Sequence, residues 1–146
     1  MTPIPKILII SLIAGLFTQG LKVLIKGIKR GKINWRDWDD YGGMPSAHAA
    51  FLISLSTACA LQEGIASTAF AICIILSAIL IRDALGLRMF LENHGKILIK
   101  LIQKQPEEGK IIKFRSMGTR IGHTYSEIIV GALIGLILTF LLYPLF

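Results

Sequence analysis

The sequence predicts an all-α integral membrane protein of about four transmembrane helices plus one amphipathic helix on the cytoplasmic surface. Three observations carry that prediction. Apolar residues make up 53% of the 146 while charged residues make up 17%, too greasy a balance for an ordinary soluble domain. Four apolar stretches approach the roughly 20 residues that a helix needs to cross a bilayer. The basic residues gather in two segments that a four-span topology places on one face.

The first span runs over residues 7–25 and ends in Thr18-Gln19-Gly20-Leu21-Lys22, which takes a polar patch into the interface. It lacks a small-x-small cleavage site and reads as a retained span. A loop rich in Gly, Lys and Asp follows, with Trp35 and Trp38 suited to the headgroup level. Gly42, Gly43 and Pro45 then punctuate the entry to the second span, residues 45–61. Pro45 is expected at the first helical position, where its missing N–H costs nothing. The turn Gln62-Glu63-Gly64 leads to the third span, residues 65–81. Both central spans are short, which favours a nearly upright crossing or a locally thinned bilayer.

Beyond the third span the helical pattern continues to about residue 105. Lys96, Lys100 and Lys104 recur every fourth residue beside Ile97, Leu98, Leu101 and Ile102, the pattern of a basic amphipathic helix over residues 85–105. Pro106-Glu107-Glu108-Gly109 ends it. In the fourth span, residues 125–146, Gly131 and Gly135 stand four apart, a small-residue spacing that permits close helix contact. There is no internal repeat or low-complexity tract, and residues 1–146 read as one domain.

Of the 16 Lys and Arg, Lys6 precedes the first span, six lie from Lys22 to Arg36, and nine from Arg82 to Arg120. The positive-inside rule makes that shared face cytoplasmic and puts both termini on the other side. The net charge of +7 therefore reads as topology and attraction to anionic lipid headgroups. No interleaved aromatic pattern supports nucleic-acid binding. Cys59 and Cys73 sit in apolar runs without paired spacing and read as packing residues, not as a disulfide or metal site.

Polar side chains at the span ends carry the functional signal. Lys22 closes the first span, Ser46 and His48 open the second, Asp83 and Arg88 close the third, and His123 and Glu127 open the fourth. The topology puts all seven at one depth, where ionisable groups are costly unless something pairs or uses them. His123 and Glu127, four apart, share a helix face, so the carboxylate takes the proton of one ring nitrogen and leaves the other as a lone pair. That is a nucleophile and its orienter. Ser46 and His48 begin a helix whose free N–H groups attract an anion, and Lys22 with one or more arginines completes a charge clamp on a phosphoryl group.

Blander readings compete residue by residue. An interfacial His is commonly a packing or capping residue, His123 with Glu127 is also an ordinary i,i+4 pair, and Asp83 with Arg88 is also a local ion pair. A zinc site from His48, His94 and His123 lacks a supporting Cys or His-x-x-x-His pair. The coincidence of two histidines, Ser46 and Lys22 on one face favours function.

At these residues the sequence resembles the type-2 phosphatidic-acid phosphatase and vanadium-haloperoxidase superfamily, in particular its small divergent membrane branch. The superfamily carries Lys-x6-Arg-Pro, Pro-Ser-Gly-His and Ser-Arg-x5-His-x3-Asp. Here the second motif stands as Pro45-Ser46-Ala47-His48 inside Gly42-Gly43-Met44-Pro45-Ser46-Ala47-His48, and the end of the third as His123-x3-Glu127. The divergent branch is also similar at Gln19-x-x-Lys22, at Asp83-Ala84-x-Gly86-x-Arg88 and at Gly131 to Gly135.

The resemblance implies that His123 attacks phosphorus to give a phosphohistidine, oriented by Glu127. His48 would protonate the leaving oxygen and then activate water, while Ser46 and Lys22 hold phosphoryl oxygens, with no metal or other cofactor. Asp83 and Gly43 would support the site. Two departures bear on the clamp: Lys29 stands where Arg-Pro would be, and Ser116-Met117 where Ser-Arg would be. Arg88, Arg120 and Arg115 are the replacements expected, in that order.

The expectation is thus a metal-independent phosphatase hydrolysing a lipid phosphomonoester, such as phosphatidylglycerophosphate or phosphatidic acid, at the cytoplasmic face. A homodimer fits the short spans and small-residue faces. The main rival is a non-catalytic lipid-phosphate-binding subunit or scaffold, distinguished by saturable binding without turnover. A transporter would want charges in mid-span, where this chain has none, and a halide-oxidising role sits poorly in a membrane.

Overall fold

The computed structural model describes residues 5–32, 34, 38, 42–103 and 122–146. Among them are five α-helices: α1 (Lys6–Arg30), α2 (Ala47–Glu63), α3 (Thr68–Leu85), α4 (Leu87–Gln103) and α5 (Tyr125–Leu142), with a last 3-10 turn at Tyr143–Leu145. The protein is all-α and membrane-embedded. Three helical runs are long and apolar enough to cross a bilayer, Lys6–Arg30, Thr68–Leu101 and Tyr125–Leu145. The four-span count is approximate, because α2 has 17 residues and reaches across about 25 Å. It occupies the middle of the bundle, packed on α1, α3 and α5.

Helix α1 buries Ile10, Ala14, Thr18 and Lys22, a stripe repeating every fourth residue that lies along one face. Beside that stripe Gly15 lets α2 approach: a Cβ there would sit 3.3 Å from Phe51 Cβ. Gly31, at φ 71°, closes α1 in the left-handed conformation, and its N–H donates to the Ile28 carbonyl.

The contact between α2 and α5 is closer still. A Cβ on Gly131 would stand 2.2 Å from the Ser46 carbonyl oxygen, and one on Gly135 would stand 2.2 Å from that of Ala50. One turn further, the Thr139 hydroxyl donates to the Gly135 carbonyl at 2.7 Å and lies 2.7 Å from the Ser54 hydroxyl. Ser46, Ala50 and Ser54 thus face Gly131, Gly135 and Thr139 in step. Where lipid supplies no hydrophobic drive between helices, such close packing and buried hydroxyl pairs hold them together. Ser56 and Ser77 make a similar pair between α2 and α3 at 3.1 Å.

Two sequence expectations change. Pro45 precedes the helix rather than opening it: Ser46 is the N-cap, its Oγ accepting the Ala49 N–H. A serine hydroxyl satisfies a free helix-end donor, which Pro45 has no group to do. The helix expected over residues 85–105 begins instead at Leu87, after a break at Gly86 (φ −106°, ψ −83°).

Candidate functional site

One end of the bundle gathers the C-terminal ends of α1 and α3 and the N-terminal ends of α2 and α5. Backbone bonds tie it together. The Ser46 N–H donates to the Glu127 carbonyl at 3.1 Å, and the His123 N–H donates to the Ala84 carbonyl at 3.1 Å. Behind them Ala49, Ala84 and Ile128 form a small buried cluster, with Ile81 and Leu85 packed on it. The start of α2, the end of α3 and the approach to α5 are therefore held to one another directly.

His123 is 2% exposed, and its Nδ1 lies 3.3 Å from Glu127 Oε2. The same carboxylate oxygen accepts the Thr124 N–H at 3.0 Å. Glu127 thus caps α5 and fixes the imidazole at once, leaving Nε2 as the free ring nitrogen. Burial pushes the His123 pKa below its ordinary value; hydrogen bonding and charge from Glu127 pull it back up, and His48 and Lys22 push it down again. The lowering favours a neutral ring, the form with a lone pair to give.

His48 stands on the first turn of α2, exposed, with its ring centroid 6.3 Å from that of His123 and the planes at 61°. Of the two rings the exposed His48 is the one with freedom to turn. Ser46, 1% exposed, spends its Oγ lone pair on the Ala49 N–H at 3.3 Å, which leaves its hydroxyl proton to donate. Ser46→Ala is expected to cost about 1 kcal/mol through the lost cap, read as a lower thermal midpoint in detergent.

Lys22 is 4% exposed, and Gly43 lies against it. A Cβ on Gly43 would meet Lys26 Cε at 3.3 Å and Lys22 Cδ at 3.7 Å, and its φ of 92° is one that favours glycine. Gly43 thus packs onto two lysines of α1. Gln19, on the same helix, donates its side-chain amide to the Trp38 carbonyl. Arg88 Nε donates to Asp83 Oδ2 at 2.7 Å, so the ion pair is formed, and the guanidinium keeps its other donors for a ligand. Arg120, Arg115 and Lys104 lie outside the described residues.

His94 is edge-on to Phe90 on α4, with centroids 4.2 Å apart. Among the described residues no three His, Cys, Asp or Glu side chains converge as a metal would need.

The sequence reading overlooked the α4 side of the site. A Cβ on Gly122 would fall 3.0 Å from the Met89 backbone nitrogen, so α4 packs directly on the residue before His123. Glu92 Oε2 accepts the Gly122 N–H at 3.2 Å, and its Oε1 holds Lys96 at 2.6 Å. A cavity of about 250 Å³ opens there, lined by Met89, Glu92, Asn93 and Lys96 of α4 and by Gly122, His123 and Thr124. The available signal was the pair Gly122 and Glu92, which a periodicity count on α4 alone does not connect.

Comparison with known proteins agrees with the motifs. The divergent PAP2 family matches residues 5–138. The uncharacterized membrane protein YuiD of Bacillus subtilis is 32% identical over 145 residues, covering 92% of each chain. No solved structure matches the chain.

Proposed function

The chain belongs to the divergent PAP2 family, and from that premise we propose that it is a membrane phosphatase cleaving a lipid phosphomonoester, such as phosphatidylglycerophosphate or phosphatidic acid, at the cytoplasmic face. The observation that carries the reading is the buried His123, braced by Glu127 and facing the exposed His48. In this reading His123 Nε2 attacks phosphorus while His48 protonates the departing oxygen. A phosphohistidine forms as the lipid alcohol leaves. His48, now neutral, takes a proton from water, which attacks the phosphorus and frees His123. Lys22, Ser46 and Arg88, with Arg120, hold the phosphoryl oxygens through charge and O–H or N–H donors. No step calls on a metal.

The cytoplasmic placement rests on the basic loops. The same bias brings anionic lipid headgroups to α4, whose Lys96 and Lys100 are exposed. A lipid-phosphate-binding subunit without turnover is the second reading. It is favoured by Ser116-Met117 in place of Ser-Arg and by the engagement of Arg88 with Asp83.

The test is phosphate release from a panel of lipid phosphates by the purified chain in detergent, with EDTA present throughout. Release insensitive to EDTA supports the phosphatase; saturable binding without release supports the second reading. The pH dependence adds a sharper check. Because the His123 pKa is lowered, the acid limb of kcat/KM is expected below about pH 6.5, the ordinary imidazole value. Activity falls below that limb as protons occupy Nε2, and falls again at higher pH where His48, the acid of the first step, has lost its own proton. In Glu127→Gln the carboxylate charge is gone and the bond to Nδ1 becomes a weaker one to a neutral amide oxygen, so the limb moves to still lower pH. Substrate ionisation is common to both proteins and cancels in the comparison.

A further inference from the structure

His123 stands one residue ahead of Thr124, the N-cap of α5, in a stretch that no helix ladder holds. A residue outside a helix keeps a fixed backbone only where its N–H groups find partners. Here three successive ones do, each on a different helix. The Gly122 N–H donates to Glu92 Oε2 of α4 at 3.2 Å, the His123 N–H to the Ala84 carbonyl of α3 at 3.1 Å, and the Thr124 N–H to Glu127 Oε2 of α5 at 3.0 Å.

Of these partners Glu92 is the one that its own helix does least to explain. α4 is basic and amphipathic, with Lys96 and Lys100 exposed, and its half-buried residues are Arg88, Glu92, Gly95 and Ile99, the spacing of one face. The Glu92 side chain is 12% exposed against 53% for Lys96. A carboxylate so nearly buried is costly unless it is paired and hydrogen-bonded. Both of its oxygens are engaged, Oε1 by Lys96 at 2.6 Å and Oε2 by the Gly122 N–H. Anchoring α4 does not require that arrangement, because Met89 already packs on Gly122 and an apolar side chain would extend the contact without the desolvation cost.

We infer that Glu92 is a positioning residue: through the Gly122 N–H it sets where His123 presents Nε2, and Lys96 holds Glu92 in that pose. The inference rests on the phosphatase reading for the identity of the nucleophile. It makes α4 part of the site as well as an anchor on the lipid surface. Glu92 acts through the backbone, since among the described residues those that move the ring's pKa are Glu127, His48 and Lys22.

Three substitutions in the full chain in detergent separate the acceptor from the charge. Glu92→Gln keeps a carbonyl oxygen for the Gly122 N–H and loses the charge that pairs with Lys96. Lys96→Met removes the pair and leaves the acceptor, and Glu92→Leu removes both. Misplacing a reacting group by about 1 Å costs about 10²-fold. At a temperature where each protein is folded, Glu92→Leu is therefore expected to lower kcat about 10- to 100-fold with KM changed by less than about twofold. Glu92→Gln and Lys96→Met are expected to keep most of kcat, and the acid limb of kcat/KM stays in place in Glu92→Gln, unlike in Glu127→Gln. A merely structural role would lower the melting temperature of Glu92→Leu and spare the kcat of the folded protein. Unchanged kcat in Glu92→Leu, an equal loss in Glu92→Gln, or a displaced limb in Glu92→Gln overturns the assignment.

Amide exchange at Gly122, followed by NMR, tests the same hold without turnover. Exchange is expected to be slow in the unsubstituted chain and in Glu92→Gln, and about tenfold faster in Glu92→Leu. A Gly122 amide that exchanges as freely as exposed backbone in the unsubstituted chain overturns the assignment even if Glu92→Leu does not fold. Slow exchange that Glu92→Leu speeds up, with no phosphate release from any lipid, overturns the phosphatase and upholds the hold of Glu92 on this backbone. Phosphate release that Glu92→Leu leaves unchanged does the reverse.

Discussion

His123→Ala is expected to lower phosphate release on the order of 10³-fold or more, the scale set by removing a covalent nucleophile. Alanine also strips Glu127 of its ring partner, so some stability goes with the activity. His123→Asn separates the two effects, because its side-chain N–H stands near the place of Nδ1 and keeps a donor for the Glu127 carboxylate, now 3.3 Å from the ring. Both variants should be inactive, and only the alanine should melt early. The companion experiment uses His48→Ala with nitrophenyl phosphate, whose leaving group departs without a proton. The first step then proceeds and the second lacks its base, so a burst of nitrophenol is expected, with phosphate trapped on His123 in an alkaline quench. Release that persists in His123→Asn overturns the covalent mechanism.

The parts of this site that sequence made legible are those whose spacing has a single geometric meaning. His123 and Glu127 four apart share a face in any helix register, and Gly131 and Gly135 mark a close approach wherever they fall. Their partners were less visible. That Ser46 and Ala50 meet those glycines is a matter of register between α2 and α5, set by Thr139 on Ser54 and by the Ser46 N–H on the Glu127 carbonyl. The basic amphipathic pattern of α4 reads the same whether the helix lies on lipid or folds onto Gly122. Only the tertiary contact tells them apart, and its local sign is one glycine whose Cβ would strike Met89. Pro45 was placed two positions too far into the helix because proline suits either side of a cap, and the bond that the Ser46 side chain accepts from Ala49 decides.

Gly131→Ala tests that register with the smallest possible change. The added methyl would lie 2.2 Å from the Ser46 carbonyl oxygen and 3.0 Å from its carbon, and backbone on a packed helix has nowhere to go but outward with the whole helix. The expected loss is about 1–3 kcal/mol, typical of overpacking. Gly135→Ala meets the Ala50 carbonyl at the same 2.2 Å and should cost a similar amount. The two differ in what they move. Ser46 caps the helix that carries His48 and bonds to Glu127 through its N–H, so separation at Gly131 shifts His48 relative to His123. Separation at Gly135 acts one turn deeper, among side chains that touch no substrate. Melting temperature should therefore fall in both, while kcat at a temperature where each is folded should fall steeply in Gly131→Ala and much less in Gly135→Ala. Equal kcat in the two variants would mean that the close contact of α2 with α5 does not set the spacing of the histidines.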